Sequence, residues 1–191
     1  MDYILNMLRH YLLLIPLVLA TIPVGYAAER QLPAEQLKTM LQKAADNDLQ
    51  AQLELADRYY KGDGVAQNYT QAAHWYQKLA TLGVANAQLT LGLMHAKGDG
   101  VKRDDAQAVH WLIQAAEQRM PMAQYLVGVA NAEGRGVKQD LVKAYMWFEI
   151  AAAMENKNAI AARQALIKKL SANDIAVGDQ MATDWWMRFH N

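Results

Sequence analysis

Gly62-Asp63-Gly64-Val65 recurs as Gly98-Asp99-Gly100-Val101 and again as Gly134-Arg135-Gly136-Val137, at an offset of 36 residues each time. Other positions keep step. Ala51-Gln52 returns as Ala87-Gln88 and Ala123-Gln124. Trp75, Trp111 and Trp147 share a column, as do Ala72, Ala108 and Ala144, and Ala80, Ala116 and Ala152. Self-similarity at such a period marks stacked supersecondary units, each completed by its neighbours. A stacked array is a binding surface before it is anything else.

Each unit reads as two helices. In the second, Ala87, Leu91 and Met94 or His95 fall at helical spacing, which predicts a first helix over Ala85 to Lys97. Gly92 inside it costs about 1 kcal/mol against alanine and so suggests a close helix crossing. Gly98 follows the last helical residue, where a left-handed backbone is wanted, and Gly100 permits a second tight bend. Val101 is the apolar residue that can drop back onto the core. Asp104 reads as the cap of the next helix, with Gln107 at the third position as in a capping box. That helix runs to about Glu117 on an inner stripe of Ala108, Trp111, Leu112 and Ala115. The first unit repeats this with Asn68 and Gln71, the third with Asp140 and Lys143. Gly62, Gly64, Trp75, Gly98, Gly100, Trp111, Gly134, Gly136 and Trp147 are thus the structural signature, and a large residue fixed in every unit is read as core. The repeats fall at about 47–82, 83–118 and 119–154 in a solenoid over 34–190.

The flanks read as atypical. Pro33 to Asp46 looks like a lone second helix, because Ala44 lies one period before Ala80. Lys157 to Lys169 looks like a fourth first helix. Ser171 opens a last helix with Ile175, Gly178, Ala182 and Trp185 on one stripe, suited to closing the exposed core face. These C-terminal helices span 157–189. Adjacent helical residues point about 100° apart, so Trp186 is the better candidate for exposure beside Trp185.

The first 27 residues read as a secretory leader, followed by a short linker over 28–33. Tyr11 to Ala28 carries no charge, and Gly25 and Ala27 supply the small residues for a cut before Ala28. Met7 is an alternative start. The competing reading is an inner-membrane anchor over 11–28, nearly long enough to span a bilayer but interrupted by Pro16 and Pro23. Membrane contact is expected only if this leader is retained. Cleavage implies a periplasmic or secreted protein.

The whole pattern resembles the Sel-one-like repeat family, a relative of the tetratricopeptide repeats. The residues that carry the likeness are Ala-x-Ala-Gln-x-x-Leu-Gly over Ala85 to Gly92, the glycine pair with Val101, Ala108-x-x-Trp111 and Ala115-Ala116. Lys143-Ala144-Tyr145-Met146-Trp147-Phe148 with Ala151-Ala152 fits especially closely. The resemblance implies an all-α solenoid, a right-handed superhelix of antiparallel helix pairs, with adaptor, scaffold or inhibitor roles often in the cell envelope. It also admits an immunity protein that neutralises a type VI secretion phospholipase effector. One cysteine-rich branch binds β-lactam compounds and supplies the rival reading of a β-lactam-binding or hydrolysing enzyme, against which the absence of cysteine and the single serine of this chain count.

Catalytic chemistry finds little material. Lys plus Arg equals Asp plus Glu at 19 each, a balance without the electrostatic footprint of nucleic-acid binding. Ser171 is the one serine, and a helix cap is its natural role. His74 and His110 share a column that Met146 breaks, and no ligand pair lies within one helical turn, so no metal and no cofactor are expected. Asn68-Tyr69-Thr70 is a glycosylation sequon whose Asn68 is already assigned to a cap.

Binding is expected where the units differ. Taken at i, i+4 and i+8, the first helices read Gln50, Glu54, Arg58, then Asn86, Thr90, Met94, then Met122, Leu126, Ala130. In related superhelices the first helices line the concave side. The expected partner is another protein of the cell envelope, met by Glu54, Arg58, Thr90, Met94 and Leu126 on a groove that passes from charged to apolar. Met122 and Leu126 could instead pack under the terminal helices.

Overall fold

In the computed structural model, which describes residues 31–189, nine α-helices follow one another without an intervening strand. They are α1 (Ala34–Ala45), α2 (Leu49–Lys61), α3 (Tyr69–Thr81), α4 (Ala85–Lys97), α5 (Asp105–Glu117), α6 (Pro121–Glu133), α7 (Leu141–Ala153), α8 (Lys157–Ile167) and α9 (Ala172–Phe189). The leader, its cleavage point and the anchor alternative lie outside the described residues. Three helix pairs, α2–α3, α4–α5 and α6–α7, form the array. From α1 to α8 each helix packs on its neighbours in the chain, and α9 packs back on α7, so the fold is an all-α solenoid. The N-terminal helix ends with Ala44 fully buried, and α8 stops two residues short of the expected Lys169.

Inside each pair the repeated small residues bring the helices close. A Cβ on Gly92 would lie 2.9 Å from Leu112 Cγ, and one on Gly128 would lie 2.5 Å from the Phe148 ring. Gly62, Gly98 and Gly134 end their helices in the left-handed region at φ of 74°, 84° and 71°, where a Cβ is penalised. The second glycine of the later two pairs, Gly100 and Gly136, does more than bend. A Cβ on Gly100 would sit 2.2 Å from the Tyr69 carbonyl carbon, and on Gly136 2.1 Å from the Asp105 oxygen. Each such loop therefore presses backbone to backbone on the first turn of the preceding second helix, and this contact sets the spacing between repeats.

The helix caps hold as expected on one side only. Asn68 accepts from the Gln71 amide, Asp104 from Ala106 and Gln107, and Asp140 from Lys143. The reciprocal half of the capping box is replaced. The amides of Asn68, Asp104 and Asp140 donate instead to the carbonyls of Tyr59, His95 and Asn131, at 2.8, 3.0 and 2.9 Å. This bond lashes the entry of each second helix to the last turn of its own first helix. Ser171 and Asp174 form the one full exchange. The Asp174 amide donates to Ser171 Oγ at 3.1 Å, and the Ser171 amide and hydroxyl donate to the Asp174 carboxylate at 3.2 and 2.7 Å.

The final helix packs chiefly on α7, through the buried stripe of Gly178, Ala182 and Trp185. Met146 and Ile150 of α7 join Ala182 and Trp185 in one apolar cluster. One repeat earlier the same two positions are exposed His110 and Gln114, and two repeats earlier exposed His74 and Lys78. So α9 covers the outer side of the third repeat rather than the open end of the array. The end is closed by α8 itself. Leu55, Leu91 and Val127 are fully buried, and their column continues as Arg163, whose Nη1 meets Glu149 at 2.6 Å. The Trp column also divides. Trp75 and Trp147 are buried at 7% and 8% exposure, and Trp111 is only half-buried.

Candidate functional site: the outward face of the first helices

Two broad surfaces remain open, one on each row of helices. The outer side of α3 and α5 presents Gln71, His74, Gln77 and Lys78, then Gln107, His110 and Gln114, all exposed and polar. Its two histidines stand edge-on to the following tryptophans, at 5.2 and 5.0 Å between ring centres. Among the described residues no cluster of three or more His, Cys, Asp or Glu could hold a metal.

The first-helix row differs from repeat to repeat. Its outward columns are Gln50, Asn86 and Met122; Leu53, Leu89 and Tyr125; and Asp57, Leu93 and Val129. The first of these columns is exposed and the other two are half-buried. This stripe runs i, i+3, i+7, not i, i+4, i+8. Eight residues carry the helix about 80° past two full turns. The expected face therefore drifts from solvent at its first member into the packing between repeats at its last.

That drift sorts the five expected contact residues. Met94 is fully buried, and Ala130 in the same column is 6% exposed. Met94 therefore cannot meet a partner and belongs to the core between repeats. Arg58 donates through Nε and Nη2 to Glu54 Oε1 at 3.0 and 2.8 Å, and through Nη1 to the Asp63 carbonyl at 3.1 Å. Its guanidinium grips its own repeat and the glycine loop, leaving both Glu54 and Arg58 engaged internally. Thr90 is half-buried and donates its hydroxyl to the Asn86 carbonyl at 2.9 Å. Leu126 is half-buried against the core and lines a pocket between the second and third repeats. Met122 stays 44% exposed rather than packed under the final helices.

The polar end of the face is built on the first repeat. Tyr76 is 3% exposed and donates its hydroxyl to Asp57 at 2.6 Å. Burial, reinforced by that carboxylate, holds its phenol well above the ordinary tyrosine range. Lys61 completes the pair with Asp57 at 3.6 Å. Towards the third repeat these charges give way to Leu93, Val129 and Tyr125.

A buried column also emerges that sequence reading noted but did not assign. Gln52, Gln88 and Gln124 donate through Nε2 to the carbonyls of Ala44, Ala80 and Ala116 at 2.9, 3.1 and 3.2 Å. Each tethers a first helix to the end of the preceding second helix. The signal was present in the Ala-Gln pair repeated at the period, beside an alanine eight residues upstream.

The Sel1 repeat profile matches residues 49–84, 85–120 and 121–156, each starting two residues later than the repeats drawn from the sequence. Among solved structures, a Sel1 repeat protein from Oxalobacter formigenes shares 38% identity over 68% of this chain and 98% of its own, with a TM-score of 0.61. A protective antigen present in uropathogenic Escherichia coli strains, displaying an SLR fold, shares 28% identity over 80% of this chain and 41% of its own, at 0.54. Cysteine rich protein B of Helicobacter pylori covers 67% of this chain and 92% of its own at 19% identity and 0.51, a likeness of fold alone. No curated protein matches.

Proposed function

Because the chain belongs to the Sel1 repeat family, whose members are generally protein-interaction scaffolds, we propose that it binds another protein along the outward face of α2, α4 and α6. The further reading is a non-enzymatic regulator or adaptor exported to the cell envelope. One observation carries it. The buried columns begun by Ala51, Gln52 and Ala72 keep their residues from repeat to repeat, whereas the outward columns change from Gln50, Leu53 and Asp57 to Met122, Tyr125 and Val129. A scaffold must preserve the first set and is free to specialise the second. Ser171 exchanges hydrogen bonds with Asp174 at the start of the final helix, the helix-cap role expected of it.

The test is cross-linking capture from an envelope extract with three forms of the protein. Arginine at Gln50, Asn86 and Met122 together alters one exposed column without touching the core, and Gln77→Ala is the control on the opposite row. Loss of a captured protein with the triple change and its retention by the control is the expected result. Equal capture by all three forms rules out the face. Export itself rests on the uncharged run before Ala28. N-terminal sequencing of the cell-derived protein should find Ala28 first, and an intact start on a membrane-bound product would assign residues 11–28 as an anchor.

A further inference from the structure

At the joint between the second and third repeats, the outward face opens into a pocket of about 230 Å³. Leu93 and Leu126 stand on its walls, Leu112 at its floor, and Lys97 at its mouth. The repeat period shows how the pocket arises. The lining positions Ala96, Asp105, Leu112 and Ala130 correspond, one period earlier, to Tyr60, Tyr69, Tyr76 and Met94. At that earlier joint the space is taken by the chain's own rings. Tyr60 lies 5.3 Å from Tyr69 and 6.1 Å from Tyr76 between ring centres, and Met94 is fully buried. One period later, Phe148 and Leu166 stand in place of Leu112 and Ala130, exposed by only 4% and 7%. The array thus fills this space on both sides and leaves it open at the middle joint, where all four positions carry a smaller side chain than one period earlier and three of them, all but Ala96, a smaller one than one period later.

We propose that this pocket takes one large apolar side chain, aromatic by preference, from a partner polypeptide that carries an acidic residue beside it. The inference rests on the protein-binding reading above and names what the face recognises. The chain itself fills the equivalent space with aromatic rings at both neighbouring joints, so a ring is the shape the joint accepts. The Asp57 carboxylate that accepts the Tyr76 hydroxyl at 2.6 Å has Leu93 as its counterpart. A phenol would lose that acceptor, which favours phenylalanine over tyrosine. The charge at the mouth is complementary to an acid. Asp105 is engaged by Arg103 at 3.2 Å and Arg135 is paired with Glu133, whereas exposed Lys97 has no ion-pair partner among the described residues. A buried anchor ringed by a charged rim is how a small patch concentrates binding energy.

A phage-displayed library of short random peptides, panned on the full-length protein, tests this. The expected winners share a large apolar residue next to Asp or Glu. Their affinity should fall at least about tenfold with Ala96→Tyr and Ala130→Met combined, which restore side chains of the preceding joint, and several-fold with Lys97→Glu. Thermal melts report whether each variant is folded, and Lys97→Glu keeps the test open if the double change is not. The pocket is overturned if panning enriches nothing, if the winners lack that pattern, or if they bind the filled variant as tightly as the parent. Winners that ignore the filled pocket but fail on the triple arginine variant would overturn the pocket and leave the protein-binding face standing. Winners indifferent to both would remove both readings.

Discussion

At the residue scale, Gln88 shows how a repeated polar side chain can be structural. Its Nε2 donates to the Ala80 carbonyl, and its Oε1 accepts from Gln118 Nε2 at 2.7 Å. Gln124 makes only the first kind of bond, and its Oε1 is buried without a partner. A buried acceptor left unpaired costs about 1–3 kcal/mol. Gln88→Leu should therefore lower stability by about 2 kcal/mol in urea unfolding, and Gln124→Leu by less, because it also removes an unpaired oxygen. The backbone offers the opposite opportunity. Asn47, Gly83, Arg119 and Glu155 share a column, and all four hold φ between 62° and 84°. Only one is glycine. Glu155 is exposed, and Glu155→Gly should stabilise the protein by about 0.5–1 kcal/mol as the left-handed strain is relieved. Arg119 is the poorer choice, since its guanidinium lies 5.5 Å from the centre of the Trp186 ring. The tryptophans differ in the same spirit. Trp147→Ala should cost about 3–5 kcal/mol as a buried aromatic deletion. Trp111→Ala should cost less, since Trp111 is only half-buried. A thermal melt less disturbed by Trp147→Ala than by Trp111→Ala would reverse that ranking.

At the element scale, α9 is fastened by a titrating contact. Tyr145 donates its hydroxyl to Asp179 at 2.9 Å, and Gly178 packs where a Cβ would lie 2.5 Å from the Tyr145 ring. Burial first, then the Asp179 bond, pushes the Tyr145 phenol from 10.0 to about 12. A raised pKa favours the protonated form in the fold. Its stabilisation is therefore whole below pH 10 and lost as pH rises through about 12. Phenolate absorbance and melting followed together should show α9 loosening in that window, and Tyr145→Phe should flatten the dependence there. How much of this was legible varies by element. Helix boundaries, caps and the buried stripe of α9 followed from periodicity because glycine, Asp and Asn have few alternatives at helix ends. The outward stripe of the first helices was mis-stepped because a one-column error on a helix is invisible until neighbours are present. The site of α9 was written in the change from His74 and His110 to Met146 and from Lys78 and Gln114 to Ile150. That change says a surface is covered without saying by what.

At the scale of the molecule, the array is bounded by substitution within its own columns. The third member of the Leu55, Leu91 and Val127 series gives way to Arg163, and the position after it passes from Gly128 to exposed Gln164. At the other end Gln36, Thr39 and Lys43 are exposed on α1. Such polar ends stop repeats from stacking further. Arg163→Leu should give the α8 end an apolar ridge beside Ile160 and Ile167, and leave Glu149 without its cation. Sedimentation velocity should then show association that grows with concentration, while the parent sediments unchanged. An unaltered profile for Arg163→Leu would mean that the pair with Glu149 does not guard the end.

The cover that α9 lays on α7 also imposes an order in time. Every other extensive helix pairing joins neighbours in the chain and can form as soon as both are made. Met146 and Ile150 must wait for Ala182 and Trp185 to be synthesised, so during translation the third repeat shows a greasy flank that the first two never show. A nascent chain halted between Ala153 and Ala172 would present that flank to chaperones and proteases, making the last helix a seal of completion on the molecule.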